Sequence, residues 1–320
     1  MNLNSFFSAR RVRLLLAVAL LGAVILGVQM SIGWQRLFDP WFQMPPSTLL
    51  SALSLTLVGY VARSLRNYDY FLPLTRGGFA VSLKLTLLHN LLNNLLPMRT
   101  GESSFPVLMK RYFGTPLSRS IAALLWFRVM DLHALVAFGL VAVGSRWLNG
   151  TVHFVAVLGW LCLPLGLLRL QSFELPQVLI NRIPSRWRGR FAEAGKGLPQ
   201  SASAFWRAWF WTAVNWFVKL AVFAWILQLF APMPFSAAVA GAIGGDLTSV
   251  LPIHGIAGVG TYEAGVVAAV LPFAIPPDEA LAGAINLHLF LLGSSAVAGG
   301  LALLIRNRHM AENDAKDLVP

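Results

Sequence analysis

Apolar residues run along this chain in long uncharged blocks separated by short clusters of arginine, glycine and proline. The clearest blocks cover residues 14–32, 47–63, 120–145, 152–170, 206–230 and 280–305. A helix needs roughly 20 apolar residues to cross about 30 Å of hydrocarbon, so each block predicts a membrane-spanning helix. Two more apolar stretches, 79–97 and 236–252, end in Leu-Pro followed by glycine and polar residues. They predict re-entrant helical hairpins, which enter the membrane and return to the same side. The expected fold class is therefore an all-α polytopic membrane protein with about six full spans and two hairpins.

Composition agrees: 57% of the 320 residues are hydrophobic and 12% charged, with a mean hydropathy of +0.66. A soluble domain carries about a quarter charged residues. The first block follows Arg10, Arg11 and Arg13, yet no small-residue cleavage signal follows it cleanly, so it reads as a retained helix. The lone Cys162 reads as a small buried filler.

The net charge of +12 is explained by topology and anionic lipid, not by nucleic acid. With both hairpins re-entrant and both termini cytoplasmic, only Arg36 and Arg146 of 25 basic residues fall outside, as the positive-inside rule asks. The second span then returns before Arg63, Arg66 and Arg76, which fall on the cytoplasmic side. Trp34, Trp41, Trp147, Trp206, Trp209 and Trp211 fall where interfacial belts are expected. The order of span, span, hairpin, span occurs twice and in opposite senses. One transmembrane domain over 1–308 is expected, with inverted repeat halves at about 10–148 and 150–308, a flexible cytoplasmic tail at 309–320, and a central site between the halves.

Polar groups inside apolar segments are the candidate chemistry. The first hairpin, HNLLNNLLPMRTGESS, offers Asn93 and Asn94 as amides, Pro97 as a helix stop and Gly101 for dihedrals that other residues resist. Arg99 and Glu102 stand three apart. They read either as a self-paired clamp or as a phosphate-binding fork oriented by an acid. Arg128 and Asp131 share a helix face too deep for a surface anchor, as a salt bridge or a substrate contact. The second hairpin carries Pro252, Gly255, Gly258 and Gly260, with His254, Glu263 and Asp246 as titratable groups and Thr261 as a helix cap. Lys219, mid-helix, reads as reaching an interior carboxylate or lining a cavity. No metal or cofactor pattern is present, and no catalytic residue is assigned.

Together, NNLLPMRTGESSFPVLMKRY with Arg128 and Asp131, and LPIHGIAGVGTYEAG, resemble the transmembrane region of the lysylphosphatidylglycerol synthases. The resemblance extends to stand-alone bacterial and archaeal members without the synthase domain. Asn93 or Asn94, Pro97, Arg99, Gly101 and Glu102 match the first motif; Pro252, Gly258, Gly260 and Glu263 match the second. Phe127 precedes Arg128 where the family often has an acid. The resemblance implies a flippase-like core that moves a phospholipid or lipid-linked headgroup between leaflets of a bacterial cytoplasmic membrane. Expected partners are anionic or phosphate-bearing lipids and envelope or glycolipid enzymes. Aminoacylation is not expected. A membrane enzyme acting on a headgroup, and a scaffold for envelope biogenesis, stay open as alternatives.

Overall fold

The computed structural model describes residues 26, 29–30, 32–171, 184–248 and 256–305, and every regular element among them is helical. The expected span over 14–32 lies almost wholly outside these residues. A short helix α1 (Trp34–Gln43) leads into α2 (Pro46–Tyr70), which a single turn separates from α3 (Phe79–Leu95). A 3-10 turn over Pro97–Ser103 carries the chain into α4 (Ser104–Phe113), followed by α5 (Leu117–Val143), α6 (Gly150–Gln171) and α7 (Ser185–Gly195). The second half continues with α8 (Ala202–Phe230), α9 (Phe235–Thr248), α10 (Thr261–Val270) and α11 (Pro277–Leu304).

Among the described residues, α2, α5, α6, α8 and α11 are long and apolar enough to cross a membrane. Helix α3 rises only about 26 Å, short of the roughly 30 Å that hydrocarbon requires. Local signals fix the ends. Proline opens α2 and α11, where its missing N-H costs nothing, and Asp278 and Glu279 complement the N-terminal dipole of α11. Ser201 caps α8 by accepting from Ala204 N at 3.1 Å. Gly114 ends α4 in the left-handed conformation, at φ 64.

Helix α2 packs on α8, α3 on α11, and α9 on both α5 and α10. The main core gathers Phe223, Ile226 and Leu227 of α8 against Leu135 of α5, Ala242 of α9 and Leu287 of α11. Helix α6 lies at the rim: only 6% of its apolar window is buried. Cys162 is accordingly exposed on this rim, contrary to the buried filler expected, because the whole helix offers its apolar surface outward. Trp209 also departs from its interfacial reading, since it is buried against His133 at a ring separation of 4.4 Å. Trp41 donates to Asn286 Oδ1 at 2.8 Å inside the bundle. Trp147 and Trp206 are exposed.

Glycine sets the closest approaches. A Cβ on Gly244 would stand 2.3 Å from Gly265 O, and one on Gly265 2.5 Å from Gly244 O, so α9 and α10 meet backbone to backbone. At Gly101 a Cβ would lie 2.4 Å from both Asn93 Cα and Leu92 O. The need at Gly101 is space, because its φ is not positive. Gly258 and Gly260 do take positive φ, 79 and 85, and Ala257 is strained at 54. This Ile256–Gly258 turn touches the Pro97–Ser103 turn, so the breaks of the two halves meet.

Candidate functional site

Helix α2 does not end at Arg63. It continues to Tyr70 and carries Arg63 and Arg66 inside the bundle, which corrects the span end expected at residue 63. Arg66 is 5% exposed, and its Nη1 donates to Asp131 Oδ1 at 2.6 Å while the guanidinium lies 4.6 Å over the Phe127 ring. Asp131 also accepts from Trp216 Nε1 at 2.9 Å and from Arg128 Nη1 at 3.4 Å. Arg128 reaches on to Glu102 Oε1 at 3.0 Å. A buried carboxylate is tolerable only with such partners, and this network ties α2, α5, α8 and the first turn together.

A second pair lies on α8 and α9. Lys219 Nζ donates to Asp246 Oδ1 at 2.7 Å, and it stands 4.6 Å over the Trp216 ring. In the first half, Arg63 Nη1 donates to Asn90 Oδ1 at 3.1 Å. Each pair joins a cation on a long helix to a polar residue on the short helix after it, and each spans 27 residues. The chemistry differs: the second cation meets a carboxylate, the first a neutral amide.

These groups surround a cavity of about 140 Å³, far above the roughly 10–15 Å³ that one water needs. Arg63, Asn90, Asn93 and Asn94 line it from the first half with Arg128 and Asp131 of α5. Asn215, Lys219, Asp246, Gly258, Tyr262 and His288 line it from the second. Arg128, Asp131, Lys219 and His288 stand roughly 17–26 Å along helices about 40 Å long, so the cavity sits near mid-bundle.

The structure thus brings Arg128, Asp131, Asn93, Asn94, Lys219, Asp246 and Gly258 to one cavity, with Glu102 attached through Arg128. Asn94 Nδ2 donates to Ser295 Oγ at 2.5 Å, which docks α3 on α11. Glu263 is not on the wall. Its Oε2 accepts from Gly260 N at 2.7 Å and its Oε1 holds His288 Nδ1 at 2.6 Å, so it caps α10 and fixes a wall residue. Gly260, with Glu263, fills the capping place expected of Thr261, whose hydroxyl donates to Gly258 O. The side chains of Pro97 and Arg99, and residues Pro252, His254 and Gly255, lie outside the described residues.

Arg63, Arg66, Asn215, Tyr262 and His288 were not among the expected site residues. Arg63 and Arg66 carry the signal of a shared helix face, three apart, at the end of an apolar window. Positive-inside reasoning absorbs that signal because a basic pair beside a span resembles an anchor.

A family model for the lysylphosphatidylglycerol synthase TM region matches residues 13–299. The chain belongs to this family. No curated protein and no solved structure matches it. As a member of the lysylphosphatidylglycerol synthase TM family, with five helices able to span, it is a multi-pass membrane protein.

Proposed function

We propose that this protein is a lipid translocator, in which the headgroup of a phosphate-bearing lipid crosses through the mid-bundle cavity while its acyl chains stay in lipid. The observation that carries this reading is Arg63, a cation on the wall of a polar cavity held by an amide and not by an acid. Bringing a charge to the centre of a bilayer costs roughly 2.5–3.5 kcal/mol even on insertion scales. A hydrated cavity lined by cations lowers that barrier for an anion.

The translocator is built as an inverted repeat of re-entrant hairpins, α3 with α4 and α9 with α10, in a domain over 1–308 with six spans. Helix α3 packs on the last span of the other half, as α9 does on α5, and the two hairpin turns touch. The matched reach of Arg63 to Asn90 and Lys219 to Asp246 also fits one ancestral arrangement read twice. Both termini face the cytoplasm of a bacterial inner membrane, and the expected residues Arg99, Glu102, Arg128 and His254 take part in headgroup contact.

The test is reconstitution into vesicles containing headgroup-labelled phosphatidylglycerol, followed by a membrane-impermeant quencher. Quenching beyond the outer-leaflet share is expected; the same extent as protein-free vesicles would reject the reading.

A further inference from the structure

The carboxylates on the cavity wall are engaged from within the protein. Asp131 accepts from Arg66, Arg128 and Trp216, and Asp246 accepts from Lys219. The donors are not. Asn215 is 2% exposed and Tyr262 6%, yet Asn215 Nδ2 and Tyr262 Oη are buried with no hydrogen-bond partner, as is Arg128 Nε. All three residues line the same cavity as Arg63. Buried polar groups are ordinarily satisfied, so spare N-H and O-H groups on residues of one cavity wall suit a ligand made of acceptors once their side chains turn toward it.

Charge points the same way. Among the described residues, Arg63, Arg66, Arg128 and Lys219 meet Asp131, Glu102 and Asp246 in the linked groups at this wall, four cations against three carboxylates. The excess sits at Arg63, whose partner Asn90 supplies a dipole but no charge. The second half shows what such a cation takes when the acid is built in: Asp246 holds Lys219 at 2.7 Å.

We infer that Arg63, Asn215 and Tyr262 form a subsite for a phosphate-ester oxyanion, and that this subsite selects a lipid headgroup without an amine. The oxyanion stands to Arg63 as the Asp246 carboxylate stands to Lys219. Phosphate oxygens accept hydrogen bonds and donate none, matching the unmet donors. An aminoacylated headgroup brings an ammonium into a cavity with excess positive charge, where it meets repulsion. The lipid source of the phosphate rests on the translocator reading; the anion preference does not.

The test is native mass spectrometry of the full chain in detergent micelles, titrated separately with phosphatidylglycerol, lysylphosphatidylglycerol, phosphatidylethanolamine and inorganic phosphate. Phosphatidylglycerol is expected to bind about tenfold or more tighter than either amine-bearing lipid. Asn90→Asp, nearly isosteric, gives Arg63 an internal carboxylate and is expected to lower phosphatidylglycerol affinity about tenfold. Tyr262→Phe removes one donor with little change in shape, and is expected to weaken it by about threefold, which keeps the test open if Asn90→Asp misfolds. Arg36→Gln, at an exposed pair outside the cavity, should change nothing.

Equal affinity for phosphatidylglycerol and its lysyl ester, or no effect of either cavity variant, would overturn the subsite. Displacement of the lipid by millimolar inorganic phosphate would overturn its assignment to a lipid. Selective binding without translocation would leave the subsite and remove the translocator; translocation without headgroup preference would do the reverse.

Discussion

Lys219 Nζ stands 2.7 Å from Asp246 Oδ1, joining α8 to α9 across the cavity wall. Their side chains are 20% and 9% exposed, so neither charge is well hydrated. Removing one partner takes from the other the charge it is bonded to. Lys219→Met is expected to destabilise the protein by about 3–5 kcal/mol, while the double variant Lys219→Met, Asp246→Leu recovers most of that loss. Reversible unfolding in mixed micelles measures both. A single variant within about 1 kcal/mol of the parent would show that water solvates the pair.

Trp216 makes a narrower claim. Its indole N-H donates to Asp131 Oδ1 at 2.9 Å beside Arg66, so Trp216→Phe deletes one donor and some volume. The expected cost is about 1.5–3 kcal/mol, as for hydrogen bonds to charged groups. The same unfolding measurement checks it, and no cost would mean that the two arginines alone satisfy the carboxylate.

Five of the six expected spans were legible because about 20 consecutive apolar residues admit few other structures. The Leu-Pro break at Pro97 was legible too, because proline stops a helix whatever surrounds it. The Arg128 and Asp131 pair could be read because three-residue spacing on a helix is local. Arg63 and Arg66 were misplaced for the opposite reason. What holds Arg66 inside is Asp131, 65 residues away, and hydropathy cannot report a partner at that distance. Lys219 was expected to find an interior carboxylate, and Asp246 was noted separately, but only the packing of α8 on α9 joins them. Glu263 was legible as important, not as a cap bonded to His288.

Close glycine packing predicts its own failure. Gly265→Ala places a methyl 2.5 Å from Gly244 O, a backbone atom that cannot rotate away. A loss of about 1–3 kcal/mol or more is expected from overpacking. Gly189→Ala meets nothing within 4 Å on helix α7 and should be neutral or stabilising by up to about 1 kcal/mol. Thermal unfolding of the two variants in parallel checks the contrast; equal shifts would contradict the close approach of α9 and α10.

Glu263 separates support from recognition. Glu263→Gln weakens the bonds to Gly260 N and His288 and is expected to cost about 1–2 kcal/mol of stability. Because Glu263 is off the cavity wall, the relative affinity for phosphatidylglycerol over its lysyl ester should not change. A changed ratio in the lipid titration would place Glu263 in recognition.

The most direct measurement is the rate of phosphatidylglycerol movement between leaflets in reconstituted vesicles, compared for the parent protein, Asn90→Asp and Arg36→Gln. Asn90→Asp neutralises Arg63 from within, while Arg36→Gln removes an exposed charge outside the cavity. The parent should move the lipid, Asn90→Asp should slow it by about tenfold, and Arg36→Gln should not slow it. Identical rates for the parent and Asn90→Asp, or no movement above protein-free vesicles, would contradict the role given to the cavity and to Arg63.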